Sequence, residues 1–194
     1  MSQSSGEDRP DPELLRLVGR GDPAALRGLV FRHLPRILRI AERITGNPAD
    51  AEEIAQETMI RVWRAAREWN PQGARFDTWL YRVVVNLCID RRRKRNPESL
   101  DGVPEMASPD RGALADVHYG QMNALVRRLL ECLPEKQRIA LVLSYYEELN
   151  SREVAEIMEI SPGAVLGLLF RGRQTLKGML TAAGIKGWDN EPET

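Results

Sequence analysis

Five consecutive basic side chains are the residues whose type and spacing indicate a chemical role most directly. They are Arg91, Arg92, Arg93, Lys94 and Arg95. Between positions 61 and 95 the sequence holds ten basic residues against three acidic ones, a local net charge of +7. A cluster of this kind neutralises the phosphates of nucleic acid, with an affinity that falls steeply as salt rises. The alternative is a helix end that only adds solubility.

A polar stripe precedes the basic run on the same predicted helix. Arg82, Asn86 and Arg93 are separated by four and seven residues, so they lie on one side of a helix whose other positions are mostly apolar. Such a stripe can bind unpaired bases, whose edges are hidden in a duplex. Trp79 is either a stacking platform for such a base or a core anchor.

Residues for catalysis or metal binding do not converge in any motif. His33 and His118 stand without a cysteine or carboxylate at metal-ligand spacing, and no glycine-rich phosphate loop occurs. Cys88 and Cys132 lie within helical patterns and are interpreted as free thiols. The sequence therefore predicts a protein that is not an enzyme, with no cofactor and no metal.

The remaining elements predict an all-α protein of two small helical domains joined by a flexible linker. The domains cover residues 12–95 and 117–182. The linker, 96–116, has three prolines and a net charge of −4, and polar tails cover 1–11 and 183–194. The periodicity predicts helices near 12–19, 22–45, 48–69, 78–95, 117–131, 134–147, 151–158 and 162–180. The amino terminus lacks the apolar core of a signal peptide, and no apolar run reaches the ~18 residues of a membrane span, so we expect a cytoplasmic protein without membrane insertion.

Two short helices near the carboxyl end predict a helix-turn-helix, because Ser161 and Pro162 restart the helix after a tight turn. Leu166 lies at the flank of the second helix, and its outward positions are Gly163, Gly167, Phe170, Arg171 and Gln174. Arg171 and Arg173 are placed for phosphates, and Phe170 for a thymine methyl group. A plain helical hairpin is the alternative that spacing alone leaves open.

Several runs of residues together carry a family resemblance. They are DAEEIAQETMIRVW at 50–63, FDTWLYRVVVN at 76–86 and LPEKQR at 133–138, followed by the helix-turn-helix. In this order the runs resemble the extracytoplasmic-function (ECF) sigma factors, the two-domain members of the bacterial sigma-70 family. The resemblance covers residues 12–95 and 117–180.

The resemblance implies an alternative sigma factor that directs promoter-specific transcription initiation, in a stress or envelope-signal response. Its partners would be bacterial core RNA polymerase, promoter DNA and an anti-sigma factor. The first domain would be region 2, which docks on polymerase and opens the minus-10 element. The second domain would be region 4, which binds the minus-35 element.

The resemblance also implies three sets of site residues. The implied polymerase-docking residues are Asp50, Glu53, Gln56, Glu57 and Ile60. The implied minus-10 residues are Arg75, Phe76, Trp79, Arg82, Asn86, Arg91, Arg92 and Arg93, within a surface that includes the loop 72–76. The implied minus-35 residues are Ser161, Gly163, Leu166, Gly167, Phe170, Arg171 and Arg173.

The recognition helix departs from the family pattern. Where that pattern has a polar or basic residue, serine and often arginine, this chain has Leu166, Gly167 and Leu168. This departure favours a rival function, a sigma-like decoy that occupies an anti-sigma factor without initiating transcription. The basic run and the docking stripe argue against the decoy. An ordinary helix-turn-helix regulator would leave the first domain unexplained.

Overall fold

The computed structural model describes residues 9–69, 75–95, 119–182 and 184, and within these ranges every regular element is helical. The helices are α1 (Asp11–Gly19), α2 (Pro23–Thr45), α3 (Pro48–Ala65), α4 (Phe76–Arg95), α5 (Tyr119–Glu131), α6 (Glu135–Leu141), α7 (Ser151–Met158) and α8 (Pro162–Ala182). A π-helical turn, Val142–Tyr146, continues α6. The all-α prediction is confirmed. The predicted linker, most of both tails and the loop 70–74 lie outside the described residues, and the division into domains stays a prediction.

Local capping explains where the first helices begin and end. The Asp22 carboxylate accepts a hydrogen bond from the Ala24 amide at 2.8 Å, and the Asn47 side chain accepts one from the Asp50 amide at 3.1 Å. Between these helices Gly46 adopts a left-handed backbone with φ of 72°, which glycine reaches without a steric penalty. The sharp turn sets α3 back against α2.

The first module comprises α1 to α4, and α2, the longest helix in the described ranges, is its scaffold. It packs against α1, α3 and α4, and its inward positions are fully buried. The inward positions include Leu29, Ile37, Ile40 and Ile44. The helix α4 begins at Phe76, two residues earlier than the sequence predicted, because Phe76 packs edge-on against His33 and Trp69 at 5.3 and 5.5 Å between ring centroids.

The helix-turn-helix is present in α7 and α8. Asn150 and Glu153 form a reciprocal capping box at the start of α7, and Glu159 ends that helix in a left-handed conformation with φ of 55°. Gly172 lets α8 approach α6 closely, since a Cβ there would lie 2.8 Å from the Leu141 side chain. In the second module, α5 to α8, the caps set the ends of α7, and the close crossing at Gly172 sets α8 against α6.

The two modules pack against each other through buried polar groups. The Glu147 side chain, 3% exposed, accepts a hydrogen bond from Arg36, and its Oε2 lies 3.3 Å from the Tyr81 hydroxyl. Arg138, which is fully buried, donates to the carbonyl oxygens of Ile44 and Leu133, each at 3.0 Å. Burial, together with the charge of Arg92, lowers the pKa of Arg138 to about 10. A single cluster of buried apolar residues spans both modules.

We predict that Glu147→Gln destabilises the packed protein, because Arg36 loses its counter-charge at a site where water cannot fully replace it. Breaking a buried pair usually costs about 3–5 kcal/mol, and we expect about 2 kcal/mol here since Arg36 keeps partial access to water. Chemical denaturation followed by circular dichroism measures the change. The control is Glu148→Gln at the exposed neighbouring position, and equal stability of the two variants would contradict the prediction.

Candidate functional site

An apolar groove lies between α2 and α3 and has a volume of about 540 Å³. Gln56 and Ile60, two predicted docking residues, line it. Glu53 and Glu57 lie on α3 as well, but their carboxylates pair with Arg91 at 2.6 Å and Arg61 at 2.9 Å. The groove thus presents an apolar floor with Glu52 in its lining, and the paired carboxylates of Glu53 and Glu57 lie on the neighbouring face of α3.

Asp50 does not lie on this surface, although the resemblance implied a docking role for it. The residue is 4% exposed, and its carboxylate binds Arg91 at 2.8 Å and Arg95 at 2.6 Å. A buried carboxylate is tolerated only when its charge is paired in this way. The structure therefore gives Asp50 a different task, which is to hold the amino end of α3 to the carboxyl end of α4.

The α2 side of the groove was missed at the level of sequence. Leu26, Val30, Leu34 and Leu38 recur every four residues and line it together with Trp63 of α3. Their spacing was a visible signal, since it gives α2 a second apolar stripe besides the one that faces the core. Only the packing of α3 shows that this stripe lines an open groove.

The polar stripe of α4 is divided between open and covered positions. Asn86 and Arg93 are exposed. Arg82 instead reaches the second module, where it donates to the Glu156 carbonyl at 2.7 Å and pairs with Glu159 at 3.3 Å. Because the carbonyls at the carboxyl end of a helix are unsatisfied, Arg82 acts as a cap for α7.

The basic run is largely committed to contacts within the protein. Arg91 and Arg95 both bind Asp50. The hydrogen bond from Arg91 to Asp50 raises the pKa of Arg91 above its ordinary value. Arg92 pairs with Glu135 of α6 at 3.4 Å. Arg93 forms no ion pair within the described part of the chain. Of the three arginines assigned to DNA in this run, only Arg93 is exposed at its surface.

The aromatic residues implied for the minus-10 element form a cluster. Phe76 is buried, and Trp79 is half-buried against Trp69 with 5.5 Å between ring centroids. The packing of Trp79 fits the core-anchor alternative and leaves part of its ring accessible. Arg75 is exposed and lies 3.5 Å from Glu153 of α7.

His33 is not isolated in space. Its Nε2 lies 3.0 Å from Asp11, and ligand atoms of Asp11, His33 and Asp77 lie within 4.8 Å of one another. Asp11 also binds Arg32. Burial would raise the pKa of Asp11, but the hydrogen bonds and charges of His33 and Arg32 outweigh it and lower that pKa. Because both carboxylate oxygens of Asp11 bind these neighbours, the group fits a tether between α1 and α2.

The outward face of α8 begins at a capped helix terminus. The Ser161 hydroxyl accepts a hydrogen bond from the Ala164 amide at 3.2 Å. Leu166 and Phe170, one turn apart, are each 58% exposed. Arg171 is also exposed, and Arg173 lies 3.3 Å from the Tyr145 hydroxyl.

Known families cover both modules. Sigma-70 region 2 matches residues 29–98, and Sigma-70 region 4 matches residues 123–176. None of the helices in the described ranges combines the length and apolarity that crossing a membrane requires.

Curated relatives extend the similarity over most of the chain. The ECF RNA polymerase sigma factor SigE of Mycolicibacterium smegmatis is 34% identical over 82% of this chain, and the match spans 64% of that relative. The ECF RNA polymerase sigma factor SigW of Bacillus subtilis is 33% identical over 86% of this chain and 94% of SigW.

Solved structures share the fold. CnrH, in complex with the cytosolic domain of CnrY, aligns over 89% of this chain and 97% of its own, with a TM-score of 0.67 and 23% identity. The sigma factor RpoE, in complex with the anti-sigma factor NepR from Bartonella quintana, aligns over 80% of this chain and 96% of its own, with a TM-score of 0.60 and 20% identity. On the family matches and the relatives, the chain belongs to the extracytoplasmic-function sigma factors of the sigma-70 family.

Proposed function

We propose that this alternative sigma factor docks on bacterial core RNA polymerase through the α2–α3 groove, handles the minus-10 element with α4 and binds the minus-35 element with α8. The observation that carries the proposal is the order of the three surfaces along a chain that matches region 2 and region 4. The protein acts by binding, in the cytoplasm, and the chemistry of initiation belongs to polymerase. We assign no catalytic residues, cofactor or metal.

The groove supports polymerase docking because it joins an apolar floor to acidic neighbours. A partner helix with an apolar stripe and basic flanks would bury its stripe beside Ile60 and set its charges near Glu52, which lines the groove. Anchors that enter apolar pockets supply most of the binding energy of such interfaces.

We predict that Ile60→Asn weakens binding to core polymerase by about tenfold or more, as expected when a polar group enters a desolvated interface. Fluorescence anisotropy of labelled protein titrated with core polymerase measures the affinity. Arg64→Ala, an exposed position on the same helix but outside the groove lining, is the matched control and should change it little. The proposed groove would lose its support if both variants bound like the parent protein.

The exposed part of α4 supports contact with the minus-10 strand. Asn86 offers both hydrogen-bond donors and acceptors to an unpaired base, and Arg93 offers a positive charge to the phosphates. Both side chains are exposed, on a different face of α4 from its buried apolar residues. Arg91 and Arg95 support the surface indirectly because they fix α4 to α3 through Asp50.

We predict that Arg93→Ala reduces promoter affinity and lowers the slope of log affinity against log salt by about one, as expected for one lost phosphate contact. Promoter binding by the holoenzyme, measured over a range of KCl concentrations, gives the slope. Arg95→Ala is the contrasting variant, and it should reduce the stability of the fold while leaving the slope nearly unchanged. The assignment fails if Arg93→Ala leaves the slope intact.

The packed arrangement supports regulation by an anti-sigma factor. In it Arg82, on the proposed minus-10 face, is occupied by the carboxyl end of α7, so a chain held in this arrangement presents an incomplete DNA surface. CnrH and RpoE, which share the fold, are described in complexes with CnrY and with the anti-sigma factor NepR. We infer that an anti-sigma factor keeps the two modules together and that binding to polymerase separates them.

We predict that Glu147→Gln binds core polymerase more tightly than the parent protein, by about threefold to tenfold. The reason is that weaker packing between the two modules raises the fraction of molecules whose modules are separated and can bind polymerase. Anisotropy titrations at a temperature where circular dichroism shows full helicity measure the change. Glu148→Gln is again the control. An unchanged affinity for a folded Glu147→Gln protein would contradict inhibition by domain packing.

The decoy function is favoured by Leu166, an apolar residue where a donor was expected. Transcription in vitro with core polymerase on a promoter library separates the two functions. A sigma factor yields promoter-specific transcripts, and a decoy yields none.

A further inference from the structure

The outward face of α8 carries an apolar pair in a basic setting. Leu166 and Phe170 are each 58% exposed, and because they lie one helical turn apart they form an adjoining apolar pair on the surface. Along its 21 residues α8 has three basic side chains and no acidic one, whereas the whole chain has no net charge. The positive charge of α8 favours binding to a polyanion such as DNA over binding to a protein surface of mixed charge.

The glycine about one turn before the pair leaves the backbone open. A Cβ at Gly163 would meet no atom within 4 Å, and one at Gly167 would approach only the Arg171 guanidinium, at 3.3 Å. Because no side chain stands at Gly163, the helix can approach another surface closely there, whereas the Arg171 guanidinium lies over Gly167. Close approach is what an apolar side chain needs in order to exclude water from its contact.

Two of the polar groups near the pair have partners within the protein. The Ser161 hydroxyl caps the helix, and Arg173 lies against Tyr145. The side chains at positions 166 and 170 offer no hydrogen-bond donor. The major groove of DNA presents one apolar feature, the thymine methyl group, and this group is recognised by apolar contact.

We infer that Leu166 makes α8 select thymine in the upstream promoter element, through contact of Leu166 and the adjacent Phe170 with thymine methyl groups, while Arg171 binds phosphate. This inference rests on the proposed placement of α8 against promoter DNA. It identifies a specificity determinant that belongs to this chain, since Leu166 stands where a donor was expected. Specificity comes here from apolar contact and close approach, with little hydrogen bonding to base edges.

The test compares thymine with deoxyuridine, which differs only by the methyl group. Holoenzyme containing the full chain first selects promoters from a library with a randomised upstream element. We expect enriched T·A pairs at neighbouring positions. Replacing each selected thymine by deoxyuridine should weaken binding about fourfold per methyl group contacted, the equivalent of one buried methylene.

Two variants separate methyl readout from general binding. Leu166→Ala should weaken binding to the thymine promoter and lose most of the discrimination against deoxyuridine. Arg171→Ala should weaken binding to the thymine and deoxyuridine promoters equally, and it should reduce the slope of log affinity against log salt by about one. Equal binding of thymine and deoxyuridine promoters by the parent holoenzyme would overturn the inference. It would also be overturned if Leu166→Ala kept full discrimination, or if this variant impaired only binding to a protein partner.

Failure of the proposed function is a separate outcome of the same experiment. A holoenzyme that neither selects promoters nor yields transcripts contradicts the sigma assignment before the deoxyuridine comparison is made. A holoenzyme that transcribes from selected promoters without sensing the methyl group contradicts only the role of Leu166.

Discussion

The buried carboxylate of Asp50 fixes the geometry on which the rest of the first module depends. It lies in the first turn of α3 and binds Arg91 and Arg95 from the last turns of α4. An unpaired charge at this depth would be strongly unfavourable, so the two helices are held in one relative position. The groove beside α3 and the polar stripe on α4 consequently form a rigid pair of surfaces.

The contacts between the modules are of a different kind. Several of their ion pairs are partly exposed, among them Arg92 with Glu135 and Arg82 with Glu159. Exposed pairs contribute little to stability and are weakened by salt. Glu147 and Arg138 supply buried polar contacts at this interface. The rim of this interface therefore resists opening less than the buried ion pairs at Asp50 do, although buried apolar side chains also join the two modules.

One consequence is that the basic run of α4 has three roles at once. Arg91 and Arg95 stabilise the first module, Arg92 contacts the second, and Arg93 faces outward. The charge pattern that indicates nucleic-acid binding in the sequence is therefore also the means by which the helix is anchored. The helix α8 differs, because its basic residues surround an exposed apolar pair and no acidic residue lies on that helix.

The sequence by itself determined the all-α class, the positions of most helices, the helix start at Ser161, the helix-turn-helix and the family. The helices and their starts depend on signals between residues no more than about four positions apart, which a periodicity reveals. The family is indicated by the order of the motif runs along the chain. Only the tertiary structure decided that Asp50 is buried, since its partners Arg91 and Arg95 lie 41 and 45 positions away. It also decided that α2 supplies one side of the groove and that Glu147 lies between Arg36 and Tyr81. Residues distant in the chain meet only when helices pack, and no local pattern specifies which charge will meet which.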